Sequence, residues 1–160
     1  MSWSDRRLFL SSLLALTACG FTPAYGPGGG ATALRGQVAI AVPQDKLAYD
    51  LASRLEERLG HATTPHWRLD PVITTDRIGV GITDANAVTR YNVTGAVEWS
   101  LVTLADGAVA AKGRAESFTS YSATGSTVAT LAAETDASTR LMQILADQIV
   151  TRLIAAGLSP

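Results

Sequence analysis

VTRYNVTGAVEWSLVTLADGAVAAKGRAESFTSY, residues 88–121, is the stretch on which the fold depends. In its first half, Val88 to Leu104, Tyr91, Val93, Gly95, Val97, Trp99 and Leu101 fall on one face of an extended chain. Arg90, Asn92, Thr94, Glu98 and Ser100 fall on the other. Side chains alternate across a strand, so the pattern predicts one buried and one wet face, as in an antiparallel sheet covered on one side only. Asp106-Gly107 then turns the chain into a second strand, Ala108 to about Tyr121. A three-residue loop Ala105-Asp106-Gly107, with Gly107 left-handed, pairs Leu104 with Ala108. That register sets Leu101 opposite Ala111, Trp99 opposite Gly113 and Glu98 opposite Arg114. A two-residue turn would set Trp99 opposite Arg114 and mix the faces, as any one-residue slip does.

Working outward, Gln37-Val38-Ala39-Ile40-Ala41-Val42 predicts a short strand that Pro43 ends. A helix follows from about Asp45 to Leu59, with Leu47, Leu51, Leu55 and Leu59 every four residues, Ala48 and Ala52 beside them, and Gly60 as the C-terminal stop. Arg54, Glu57 and Arg58 read as its solvated face. Trp67 to about Ile82 reads as a strand interrupted at Pro71, with Gly79 and Gly81 marking a bent or bulged, edge-like segment. Thr83 to Ala87 turns the chain. Beyond the quoted stretch, Ser120 to Ser126 is a small polar connector ending on a candidate N-cap, Ser126. Thr127 to Ala156 is then a long helix with Leu131, Leu141, Met142, Leu145, Ile149 and Leu153 as its apolar stripe, closed by Gly157. At 1.5 Å per residue it runs about 45 Å, enough to cross the sheet. The element order is β-α-β-β-β-α, without an internal repeat.

The N-terminus has a different composition. Arg6 and Arg7 precede the apolar run Leu8 to Leu16, which is too short for a membrane span of about 20 residues and reads as the core of an export signal. Thr17 and Ala18 lead to Cys19, the only cysteine. Leu16-Thr17-Ala18-Cys19 resembles the bacterial lipobox, which implies cleavage before Cys19, a diacylglycerol on its thiol and acylation of the freed amine, including palmitate. Several acyl chains hold firmly where one is marginal. Gly20 in place of Asp favours the outer membrane by the same resemblance. Asp5-Arg6-Arg7-Leu8-Phe9-Leu10 also looks like a twin-arginine signal, so the general secretory and twin-arginine routes both stay open. The expected organisation is a signal peptide over 1–18, a lipidated Gly- and Pro-rich flexible tether over 19–36, and one folded domain over 37–158.

Loss of residues 1–18 leaves 11 basic and 13 acidic residues, a formal charge of −2. A nucleic-acid binder needs a basic domain with clustered Lys and Arg, so that class is set aside. With no cysteine left for a disulfide, stability must come from an ordinary core, for which 47% hydrophobic residues suffice. An enzyme needs a nucleophile with its base, paired carboxylates in a pocket, or metal-ligand spacing. The acidic residues are instead scattered over helix surfaces and turns. His61 and His66 flank Pro65 in one loop without a carboxylate cluster, and no Gly-x-Ser-x-Gly elbow occurs. Gly28-Gly29-Gly30 follows no strand and precedes no Lys-Ser/Thr, so it is no phosphate loop. Neither catalytic residues nor a metal or cofactor are expected.

Three local motifs then match a family. They are Cys19-Gly20-Phe21-Thr22-Pro23-Ala24-Tyr25-Gly26, Thr89-Arg90-Tyr91-Asn92-Val93-Thr94-Gly95, and Ser120-Tyr121-Ser122-Ala123-Thr124-Gly125 leading into Leu145-Ala146-Asp147-Gln148-Ile149-Val150-Thr151-Arg152-Leu153. With the element order, they resemble the LPS-assembly lipoprotein family LptE, in its alphaproteobacterial branch. The resemblance implies an α+β domain, a two-layer α/β sandwich whose four-stranded mixed sheet carries two helices on one face. It implies a place in the cell outer membrane, lipid-anchored on the periplasmic side and inside the lumen of the β-barrel LptD, with which the family forms a translocon delivering lipopolysaccharide (LPS) to the outer leaflet. A polar lumen calls for a plug with a hydrogen-bonding exterior, which makes Asn92 and Thr94 candidate partner contacts. Lipid A phosphates call for Arg or Lys able to donate charge-assisted hydrogen bonds; the cations of the sheet region are Arg77, Arg90, Lys112 and Arg114. Another outer-membrane lipoprotein module, such as a pilotin-like chaperone of a secretion channel, would share the anchor but not the long final helix behind a meander.

Overall fold

The computed structural model describes residues 26, 29–84 and 87–158; the lipobox and Cys19 lie outside them. Seven elements follow in order: α1 Gly30–Leu34, β1 Val38–Ile40, α2 Lys46–Leu59, β2 Trp67–Ile82, β3 Val88–Thr103, β4 Val109–Ser122 and α3 Thr127–Ala155. The strands form one mixed sheet in the order β1-β2-β3-β4, with β1 parallel to β2 and the other pairs antiparallel. Helices α2 and α3 cover one face, as expected of a two-layer α+β sandwich. Helix α1 is an addition. It falls inside the stretch read as tether, yet Leu34 is fully buried, so packed structure begins before Gln37. Composition suggested a tether there because Gly30 stands where a Cβ would come within 3.0 Å of the Ile154 carbonyl: this glycine permits close packing on α3.

Each helix begins and ends where local chemistry dictates. The Asp45 carboxylate accepts from the Ala48 N–H at 2.8 Å, and Gly60, at φ +80°, donates its N–H to the Glu56 carbonyl. The Ser126 hydroxyl caps α3 by accepting from the Ala129 N–H at 3.3 Å. Leu51, Leu55 and Leu59 of α2 meet Leu141, Met142, Leu145, Ile149 and Leu153 of α3, together with Val38, Trp67, Leu69, Val97 and Leu101 of the sheet. Each such side chain contributes about 1.5–3 kcal/mol on burial. Two corrections apply to the helices. Leu131 is 63% exposed, because the first turns of α3 run past the start of α2 and Leu131 borders an open hollow with Lys46, Leu47 and Asp50. Arg54 is no solvated bystander: its Nε and Nη2 donate to the two Asp147 oxygens at 3.1 and 3.0 Å, tying α2 to α3, and Arg58 lies 3.5 Å from the same carboxylate.

The β3–β4 register is the expected one, reached by another route. Leu101 pairs with Ala111, Trp99 with Gly113 and Glu98 with Arg114. Leu104 and Ala108 do not pair, however. The loop spans 104–107, the Thr103 N–H donates to the Ala108 carbonyl, and a bulge at Ala110 restores the offset. Gly107 is left-handed at φ +73°, as the turn requires. Strand β2 is continuous through Pro71 and bulged around Gly79 to Ile82. Pro71 is tolerated because β1 has already ended. The Leu69 carbonyl accepts from the Ala41 N–H, so odd-numbered residues of β2 turn their amides outward, and Pro71, just beyond the last β1 pair, costs the β2–β3 ladder no bond.

Candidate partner-binding face

The face of the sheet away from the helices is built from the even-numbered residues of the three long strands. Across it, Asp70, Ser100 and Lys112 form one row, then Val72, Glu98 and Arg114, then Thr74, Ala96 and Glu116, then Asp76, Thr94 and Phe118, then Ile78, Asn92 and Ser120. Both predicted contact residues, Asn92 and Thr94, lie on this uncovered face, and the Thr94 hydroxyl donates to the Asp76 carbonyl at 3.3 Å. Two shallow depressions occur there. One is floored by Ala96 and Thr94 between Thr74, Glu116 and Phe118; the other lies between Val72, Ser100 and Lys112. Small residues on β3 flanked by longer ones on β2 and β4 create both.

The exposed apolar members of this face, Val72, Phe118 and Ile78, were not singled out from sequence. Phe118 was legible, since it shares the even-numbered wet set of β4 with Lys112, Arg114 and Glu116. The facing of β2 was not, because Pro71 interrupts its alternation.

The four candidate cations are not brought together. Arg114 donates to Glu98 at 2.9 Å and also holds Glu116, so the cross-strand pair expected from the register forms. Those carboxylates, Glu116 foremost, raise the affinity of its guanidinium for its proton. Arg77 lies on the opposite, helix-side face. It donates to Glu134 of α3 at 2.9 Å, reaches the Tyr121 hydroxyl at 3.4 Å and stands 5.1 Å from the Tyr91 ring centre, while Tyr91 stacks on Tyr121 at 5.4 Å. This cluster links β2, β3, β4 and α3. Burial pushes the Tyr121 phenol above its ordinary value, partly offset by the Arg77 hydrogen bond. Arg90 pairs across β4 with Ser122 and Lys112 pairs with Ser100, ten positions apart along β4. At about 3.3 Å per residue that places them roughly 33 Å apart. Neither makes an ion pair among the described residues.

Among the described residues no three His, Cys, Asp or Glu side chains converge as metal ligands, and no helix is long and apolar enough to cross a membrane. His66 packs edge-on against Trp67 at 4.7 Å, and His61 lies 3.8 Å from Glu56 at the surface. The uncovered face is polar along most of its length and apolar at Val72, Ile78 and Phe118.

Solved structures share this architecture. A lipoprotein from Caulobacter crescentus CB15 superposes with a TM-score of 0.70 at 22% identity, over 82% of this chain and 98% of its own. Rare lipoprotein B from Shewanella oneidensis gives 0.56 at 13% identity, covering 74% and 92% of the two chains. A minor lipoprotein from Acinetobacter baumannii gives 0.56 at 16% identity, covering 77% and 92%. At these identities the likeness is one of fold. No curated protein sequence matches the chain. The family model LptE, lipopolysaccharide-assembly, matches residues 36–153, from the turn before β1 almost to the end of α3, and the chain thus belongs to the LptE lipopolysaccharide-assembly family.

Proposed function

We propose that this protein is the lipoprotein subunit of the outer-membrane LPS translocon, without catalytic activity of its own. Anchored through acylated Cys19, its domain occupies the lumen of an LptD-type β-barrel in a 1:1 complex, assists assembly of that barrel and aids delivery of LPS to the outer leaflet. One observation supports this reading above the others: the N-terminal segment and the β2–β3 hairpin tip lie at opposite poles of an elongated sandwich. Helix α1 packs on the last turns of α3, and the Gly36 N–H donates to the Leu59 carbonyl at 2.8 Å. Helix α1 and Gly36 thus lie at the C-terminal ends of both long helices. The Ala123 N–H donates to the Thr89 carbonyl at the other pole, beside the start of α3, a helix about 43 Å long. A domain tethered at one pole is presented lengthwise to a barrel opening at the same membrane.

The uncovered face, with Asn92 and Thr94 at its centre, provides the hydrogen-bonding exterior that a polar lumen accommodates. Arg90 and Lys112 are the cations left available for phosphate, since Arg77 and Arg114 already hold carboxylates. The test is co-isolation in mild detergent from a strain lacking its own copy, with surface LPS measured alongside. A stoichiometric large barrel and restored surface LPS are expected. A secretin in its place, or no barrel at all, overturns the reading.

A further inference from the structure

The two outer edges of the sheet are guarded very differently. On β4 the even-numbered residues turn their amides outward, because the Ala123 N–H bonds inward to Thr89 and alternation fixes the rest. There the Gln148 Nε2 of α3 donates to the outward Glu116 carbonyl at 3.1 Å, and Lys112, Arg114 and Glu116 place charges along the edge. Charge and a covering helix are standard protections against a foreign strand.

On β2, β1 ends at Ile40, and a hollow lined by Val42, Pro43, Pro71 and Ile73 marks where the chain turns away. From there to Gly79 the outward groups of β2 have no neighbouring strand, and Thr74 to Val80 are exposed. Only the Arg77 N–H is satisfied locally, by Asp76 Oδ1 at 2.8 Å. Ile78 and Val80 border this edge at 50% and 48% exposure. An exposed edge bearing apolar side chains is a template for strand pairing. The Asp76 carboxylate makes no ion pair among the described residues, so it adds an uncompensated negative charge.

Resting on the translocon reading above, we propose that the free edge of β2, residues 73–79, takes an added β-strand from the barrel partner. That strand continues the line of β1 beyond Ile40. The segment that fits is extended, places apolar side chains beside Ile78 and Val80, and carries a Lys or Arg next to Asp76. Main-chain hydrogen bonds to Ile73, Thr75 and Gly79 supply the affinity, and the flanking side chains select the partner.

Thr75→Pro removes an outward amide without breaking the β2–β3 ladder, as Pro71 does at an equivalent position of the same strand. Thr75→Ala, which shortens the same side chain but keeps the amide, is the control. The full chain carrying each substitution is expressed with the barrel in a strain lacking the native copy, and barrel capture and thermal midpoint are measured. Thr75→Pro should lower capture about tenfold or more at an unchanged midpoint, and Thr75→Ala should not. Amide exchange of the wild-type complex needs no variant: the Ile73, Thr75 and Gly79 amides should exchange more slowly than in the free chain. If wild type captures a barrel while these amides stay unprotected, or while Thr75→Pro captures equally well, strand addition is wrong and the translocon reading stands. If wild type captures no barrel, both fall. Protection that grows with the concentration of the chain alone would assign the edge to a second copy and overturn the proposal.

Discussion

Adding one methyl group at Gly113 tests the packing that sets the β3–β4 register. Gly113 lies opposite Trp99, which is 5% exposed, and a Cβ there would stand 2.7 Å from Trp99 Cζ2, 3.0 Å from Cε2 and 3.3 Å from Nε1. Carbon atoms pack at about 3.5–4.0 Å, so Gly113→Ala requires the indole to move by roughly 1 Å within a filled core. Such overpacking costs about 1–3 kcal/mol, against about 0.5–1 kcal/mol recovered by replacing glycine within a strand. The net loss is up to about 2.5 kcal/mol, and its middle value of about 1 kcal/mol lowers the midpoint by roughly 3–6 °C for a domain of this size. Thermal unfolding followed by circular dichroism measures the loss, and tryptophan emission reports the displaced ring. Because the Trp99 indole N–H has no hydrogen-bond partner among the described residues, Trp99→Phe sacrifices packing but none of their polar contacts. In the Trp99→Phe background Gly113→Ala should therefore cost less by about 0.5 kcal/mol or more, a coupling typical of touching residues. A Gly113→Ala protein with a wild-type midpoint and unchanged emission would refute the argument.

Leu141→Ala, at a fully buried position, should cost about 2–5 kcal/mol by denaturant unfolding, while Leu131→Ala should stay within about 0.5 kcal/mol of wild type. Burial raises the Tyr121 phenol above its ordinary 10.0, so the unfolded chain releases that proton first; stability is whole below pH 10 and declines as pH rises through the folded value. Unfolding midpoints from pH 8 to 11 should show that decline, and Tyr121→Phe should flatten it. Intact mass of membrane-extracted protein should show residues 1–18 removed and acyl mass on Cys19; an unmodified thiol would count against the anchor. Cys19→Ala exported with a conventional cleavable signal should still capture the barrel when well expressed, because the tether raises effective concentration while the folded surface holds the complex.

What sequence alone determined is what depends on local periodicity and local caps. The two-residue alternation of β3 identified the buried face from Tyr91 to Leu101, and matching it against β4 fixed Trp99 over Gly113 and Glu98 beside Arg114. Asp45, Gly60 and Ser126 marked helix ends because their side chains or conformations satisfy backbone groups a few residues away. The uncovered face with Asn92 and Thr94 followed from the same alternation. Tertiary structure decided whatever depends on where neighbouring elements stop. Leu131 fits the apolar period of its helix but is exposed because α2 starts too late to cover it, and Gly30 to Leu34 read as tether until Ile154 supplied a surface to pack on. The hairpin register depended on a longer loop and a compensating bulge at Ala110, a pair of changes that leaves the facing pattern untouched and is therefore silent in sequence. Charges behave likewise: nothing local says that Arg54 will hold Asp147, or that Arg77 will turn to the helix side and hold Glu134, because those partners lie 93 and 57 residues away. The open edge of β2 is of the same kind, set by the short length of β1 rather than by any residue of β2 itself.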